Sequence, residues 1–191
     1  MARSTARKRA LNTLYEADEK GQDILSLLAE RIKEPGAQTP LPDYAIDIVR
    51  GVAEHRRDID RELDDHSTGW KVRRMAVVDR NILRIAAWEI LFNDDVPDRV
   101  AIDEALGLAK TLSDSDSPAF IHGLLSAICD DKLARIEQAQ QVESAADVDD
   151  TDPAASNDAS DTVADVDEPT EAADDPQTTE SNQSGESTDN N

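Results

Sequence analysis

Residues 79–92 read DRNILRIAAWEILF. Past the first turn only Arg84 and Glu89 are strongly polar, while Ile82, Leu83, Ile85, Ala86, Trp88, Ile90, Leu91 and Phe92 point in every direction around a helix of 3.6 residues per turn. A soluble helix that is apolar on all sides leaves no face for solvent and belongs at the centre of a bundle. Asp79 has the chemistry of an N-cap, with Val78 and Leu83 spaced for a hydrophobic staple around it. Asn93 is suited to a left-handed C-terminal residue, and Pro97 cannot continue a helix.

Outward from this helix the periodicity stays helical, with no strand pattern and no fixed-period repeat. Residues 4–20 are expected to form a first helix, with Ala10, Leu11, Leu14 and Tyr15 on or near one face. Arg3, Arg7, Lys8 and Arg9 crowd its N-terminal end, where the helix dipole favours acids, so local helix stability does not account for them. Gly21 breaks the chain, and Ile24, Leu25, Leu28 and Ile32 mark a short second helix. Glu34 to Pro42, with three prolines and a glycine, reads as a loop.

Asp43 is the expected cap of a third helix carrying Ala45, Ile48, Val49 and Val52, which continues or kinks through Ile59 and Leu63. His66 to Gly69 interrupt it, and the basic segment WKVRR, opened by Trp70, leads into the central helix. Beyond Pro97, Asp98 reads as the cap of a helix carrying Ile102, Ala105, Leu106 and Ala109. SDSDSP is a loop, with Ser117 and Pro118 as N-cap and first residue of a last helix. That helix carries Ile121, Leu124, Leu125 and Ile128 and runs to about Ala139. The expected fold class is all-α, with six or seven helices in residues 1–140.

Charge divides the chain at the same place. Of its 42 acidic residues 16 lie after Gln140, where there is no Lys or Arg, leaving 26 against all 20 basic residues in the body, a net of −6. The last 51 residues are mostly Asp, Glu, Ser, Thr, Asn, Gln, Ala and Pro and cannot bury enough apolar surface to offset the entropy of ordering. Residues 141–191 therefore read as a disordered acidic tail, either a solvated appendage or a competitor for the cations of the body. The overall charge of −22 describes mostly this tail and does not exclude nucleic acid as a partner of the body.

One cysteine, Cys129, rules out an internal disulfide. No apolar run approaches the roughly 18 residues that cross a bilayer, and no apolar segment follows the basic N-terminus as in a secretory signal. The acid-free, Arg-rich start also fits a transit peptide, but the same helix supplies core residues, so the expected location is the cytoplasm, away from membranes. Catalysis has little to stand on. The glycines are isolated, and adjacent acids such as Asp64 and Asp65, or Asp103 and Glu104, point different ways on a helix. His122 and Cys129 share a helical face, but two ligands do not make a metal site. No enzyme activity, cofactor or metal is expected.

Several linked motifs carry more specific information. WKVRRMAVVDRNILRIAAWEIL at 70–91, DVPDRVAIDEALGLAK at 95–110, FIHGLL at 120–125 and RKRALNTLY at 7–15 together resemble the NusB transcription antitermination family, in its order and spacing, over residues 3 to about 135. The resemblance implies two small three-helix bundles and a non-catalytic role. Such proteins pair with NusE, the ribosomal small-subunit protein, and the two bind the boxA element of nascent ribosomal RNA within a transcription elongation complex that includes other Nus factors. Some members also self-associate, so a homodimer is an open expectation. His122 and Ser126 depart from the family, which usually has Asn and often Asp there.

The residues support an RNA role on their own terms. Arg3, Arg7, Lys8 and Arg9 offer cations for phosphate, and Tyr15, two turns on from Lys8, offers a face for a base. The plain alternative is a solvated charged helix end on an adaptor that binds protein only. Replacing Arg7, Lys8 and Arg9 with Ala is expected to lower RNA affinity without unfolding the chain. By position, the resemblance adds Asp116 and Phe120 to the RNA side and Asp79 and Arg80 to the protein-partner side. Otherwise Asp116 is a loop acid, Phe120 is core and Asp79 is a cap.

Overall fold

The computed structural model describes residues 2–35 and 39–146. Positions 36–38 of the expected loop, and the expected disordered tail from 147 onward, lie outside the described residues. Seven α-helices occur among the described residues, and no strand. They are α1 (Ala2–Lys20), α2 (Ile24–Lys33), α3 (Asp43–Glu54), α4 (Arg56–His66), α5 (Val77–Phe92), α6 (Asp98–Leu112) and α7 (Ser117–Ala146), with a short 3₁₀ turn at Val72–Arg74.

Helix α5 is buried on every side from Asn81 to Ile90 because it lies between two groups of helices. Helices α1, α2 and α3 pack together on one flank, and α4, α6 and α7 on the other. Along α1, Ala6, Ala10, Leu14 and Ala17 are buried at helical spacing, so alanines let α3 and α5 approach closely. Gly21 closes α1 in the left-handed conformation at φ 60°, with the Gln22 N–H donating to Ala17 O at 2.9 Å, as in a Schellman cap. Asp23 caps α2 by accepting from Ser26 N at 2.9 Å. The chain kinks at His55 between α3 and α4, and Val52, Ile59 and Leu63 all remain in one core.

The expected caps shift. Helix α5 begins at Val77, and the carbonyl of Ala76 takes the Arg80 N–H at 3.0 Å, so Asp79 is its third residue and caps nothing. Asp43 and Asp98 are likewise first residues rather than caps, because Pro42 and Pro97 hold the extended conformation and their carbonyls accept the first helical N–H groups. In the first turn these acids still complement the dipole. Ser117 is the first residue of α7, and the Asp116 carbonyl accepts from Phe120 N at 3.3 Å. Asn93, at φ −133°, is not left-handed. In α2 the buried set is Ile24, Leu27 and Leu28, with Leu25 and Ile32 exposed. Finally, α7 continues past Ala139 and through the first six positions assigned to the tail.

Candidate nucleic-acid interface

The cations at the start of α1 do not form one surface. Arg7 is 2 % exposed, and its Nε donates to both carboxylate oxygens of Glu89 on α5, at 2.9 and 3.0 Å. The Tyr44 hydroxyl donates to the same carboxylate, and Glu104 lies 3.6 Å from Arg7 Nη1. Arg7 is therefore a structural cation and not an exposed phosphate contact. Its spacing with Leu11 and Leu14 puts it in the buried stripe, where a charge persists only with a partner. Burial and the Glu89 hydrogen bond both push the Tyr44 phenol up, which keeps it a donor.

Arg3 and Arg9 are each engaged by different neighbours. The Arg3 guanidinium sits 4.9 Å from the Tyr44 ring centroid and donates to Asp95 O, while Arg9 ties α1 to the loop before α3 by donating to Thr39 Oγ1 at 2.9 Å and Pro40 O at 2.8 Å. None of these contacts is an ion pair. Lys8 is exposed and lines a cavity of about 330 Å³ with Ser4, Glu104 and Leu112.

That cavity is the first of three that adjoin through shared residues. Leu112 also lines the second, of about 410 Å³, together with Tyr15, Glu19, Ser113 and Asp114. Ala76 and Asp114 in turn belong to the third, of about 500 Å³, lined also by Trp70, Arg74, Asp116 and Phe120. Lys8, Tyr15, Asp116 and Phe120 are thus brought onto one track across α1, the α6–α7 loop and the start of α7. Arg3, Arg7 and Arg9 do not line it.

Asp79 and Arg80 are engaged within the molecule. The Asp79 carboxylate is buried and accepts from the hydroxyls of Ser113 and of Ser117, the latter at 2.9 Å. It clasps the α6–α7 loop to α5 and so positions Asp114 and Asp116 on the track. Arg80 Nε donates to Asp18 on α1 at 2.9 Å. Asp18 also accepts from Asn81 and from buried Arg84, whose other nitrogens pair with Asp60 on α4 at 2.8 and 2.9 Å. Burial alone would raise the Asp18 carboxyl, but the hydrogen bonds from Arg80 and Asn81 and the nearby guanidinium charges outweigh it and hold the group below the usual range.

The family model described as the NusB family matches residues 4–130, the span that contains all seven helix starts but the first and the whole cavity track. The chain belongs to the NusB family. It is 76 % identical over 159 residues to the transcription antitermination protein NusB of Bifidobacterium longum subsp. infantis, covering 80 % of this chain and 85 % of the relative. A relative of the same name from Bifidobacterium animalis subsp. lactis is 70 % identical over 152 residues, covering 80 % and 98 %. Among solved structures, NusB of T. maritima superposes with a TM-score of 0.59 at 30 % identity, covering 67 % of this chain and 90 % of that one. A crystal structure of antitermination factors NusB and NusE in complex with dsRNA gives 0.58 at 27 % identity, covering 67 % and 96 %.

On this NusB-family fold, the sequence reading missed Trp70 and Arg74. Their signal lay in the basic WKVRR segment already noted between two α-helices, an aromatic residue with Arg four positions later. Trp70 is 55 % exposed, and the Arg74 guanidinium stands 5.2 Å from its ring centroid. No helix among the described residues is long and apolar enough to cross a membrane.

Proposed function

We propose that this chain is a transcription antitermination factor that binds the boxA element of nascent ribosomal RNA in the cytoplasm, as a complex with NusE in the elongation machinery. The observation that carries the reading is the run of three adjoining cavities from Lys8 past Tyr15 to Phe120. Such a track offers a single strand a cation at one end and aromatic faces along its length, the combination single-stranded RNA requires. The chain's NusB relatives, and the NusB–NusE–RNA crystal structure among its structural matches, support the same reading.

A competing reading, an adaptor that binds protein alone, draws on the acids Glu19, Asp114 and Asp116 that line the track. Titration of boxA RNA into the full chain, with and without NusE, separates the two. RNA binding that NusE strengthens, and that Lys8→Ala weakens with a log–log salt slope flattened by about 0.7, is the expected result. No RNA binding in either arm leaves the adaptor.

A further inference from the structure

The third cavity has features that a general electrostatic track does not need. Trp70 is a large apolar side chain left more than half exposed, yet its backbone is fixed. Ser67 Oγ donates to Trp70 O at 2.6 Å, and Asp64, in the last turn of α4, accepts from Val72 N at 2.7 Å through its carboxylate and from Lys71 Nζ at 2.9 Å through its carbonyl. The segment that carries the indole is thus anchored at both ends of the Trp70–Lys71 step. An aromatic ring held in this way loses little conformational freedom when something stacks on it.

The surroundings of the ring are asymmetric in charge. On one side Arg74 stacks its guanidinium on the indole and has no carboxylate partner among the described residues, with exposed Arg73 next to it. On another, Asp114 and Asp116 are exposed and make no ion pair among the described residues. Phe120, half-buried at the start of α7, supplies a second aromatic wall. The cavity volume of about 500 Å³ lies in the roughly 300–1,000 Å³ range of clefts that hold small organic groups.

We propose that Trp70, Arg74 and Phe120 form a slot for one unpaired nucleobase of the bound RNA, Trp70 being the stacking platform and Arg74 the partner of the adjoining phosphate. The acids repel phosphate, so the strand crosses this end of the track with its backbone on the Arg74 side and its base turned inward over the indole. Stacking does not depend on which base is present, because every base has a π-face. The slot therefore adds affinity and sets register rather than reading sequence. Its occupant is RNA, so the inference rests on the function proposed above.

The test uses the full chain with NusE and a set of boxA RNAs in which each nucleotide in turn is made abasic. Trp70→Ala should weaken binding of the intact RNA by roughly 5- to 150-fold, the range found when a stacked aromatic is replaced by Ala. Trp70→Phe should retain most of the affinity. One abasic position should cost the parent a similar factor and cost Trp70→Ala nothing further, because the two changes remove the same contact. Binding should also quench indole fluorescence in the parent and not in Trp70→Phe, since Trp88 is only 8 % exposed. Arg74→Ala should flatten the salt slope by about 0.7.

Equal affinity of the parent and Trp70→Ala would overturn the slot and leave RNA binding standing. A Trp70→Ala loss with every abasic penalty still present would overturn it too, by making Trp70 merely structural. Absence of RNA binding by the parent would overturn both proposals, and the parent titration identifies that case first.

Discussion

The indole of Trp88 lies directly on the backbone of Gly51, joining α5 to α3 at a point where no side chain fits between them: a Cβ on residue 51 would overlap Nε1 and Cε2 and stand 2.7 Å from Cζ2. Gly in a helix interior ordinarily costs about 0.5–1 kcal/mol relative to Ala. Here the close approach outweighs that cost, because the indole occupies the space of the missing methyl.

Gly51→Ala should therefore destabilise the domain, by about 1–3 kcal/mol or more, as overpacking does in a filled core. Trp88→Ala should lose roughly 3–5 kcal/mol by leaving a cavity. In the double variant Gly51→Ala with Trp88→Ala the loss should be smaller than the sum of the two single changes, since the methyl and the indole compete for one volume. Urea unfolding followed by circular dichroism measures all three, and strict additivity would show that the contact is not what makes residue 51 glycine.

Arg7 and Glu89 make a second prediction and revise the triple Ala substitution considered above. Removing one member of a buried ion pair leaves an uncompensated charge and costs about 3–5 kcal/mol. Arg7→Met should therefore unfold early, whereas Lys8→Ala should melt like the parent. Replacing both Arg7 and Glu89 with Met should recover much of the loss, because neither charge of the pair remains and the buried guanidinium nitrogen without a hydrogen-bond partner, Nη2, is removed as well. Thermal melts of the three variants decide it; an Arg7→Met protein as stable as the parent would mean that the pair does not hold α1 to α5.

These two contacts also mark what the sequence could convey. The all-round apolar pattern of residues 81–90 was enough to place α5 at the centre, because no other location buries every face. Helix starts were misplaced by one to three residues wherever an acid looked like a cap, since a carboxylate in the first turn satisfies the dipole as well as one at the cap. Arg7 was read as a surface cation because its partner is 82 positions away, although its register with Leu11 and Leu14 signalled burial. The cavity track was legible only in pieces: Lys8 and Tyr15 stood out on α1 and the family resemblance added Asp116 and Phe120, but that they line adjoining cavities follows from the packing of α1, α6, α7 and the loop between the last two.

Asp18 links stability to pH. Its carboxyl lies below the usual aspartate value in the folded chain, so the unfolded state takes up a proton first as pH falls. The stabilisation is fully present above the unfolded value of about 3.9 and is lost as pH drops through the lower folded value. Asp18→Asn should therefore be clearly less stable than the parent at pH 7, with the gap closing below about pH 4. Urea midpoints for both proteins at pH 7, 4 and 3 test this, and a gap that persists undiminished at pH 3 would refute it.

The last prediction separates two roles for Asp79. As a clasp, it holds the α6–α7 loop by accepting from Ser113 and Ser117, each such bond to a charged group being worth about 1.5–3 kcal/mol when buried. As a partner contact, it would touch NusE itself. Asp79→Ala removes both possibilities, so alone it cannot tell them apart. Ser113→Ala with Ser117→Ala removes only the clasp and leaves the carboxylate in place. If the clasp is what matters, the serine double variant should reproduce the Asp79→Ala losses in melting temperature and RNA affinity, because in each case Asp114 and Asp116 come loose from the track. NusE binding measured by calorimetry should then fall equally in both variants or in neither. A NusE affinity lost in Asp79→Ala and intact in the serine variant would assign the carboxylate to the protein contact, leaving the clasp a stability feature only.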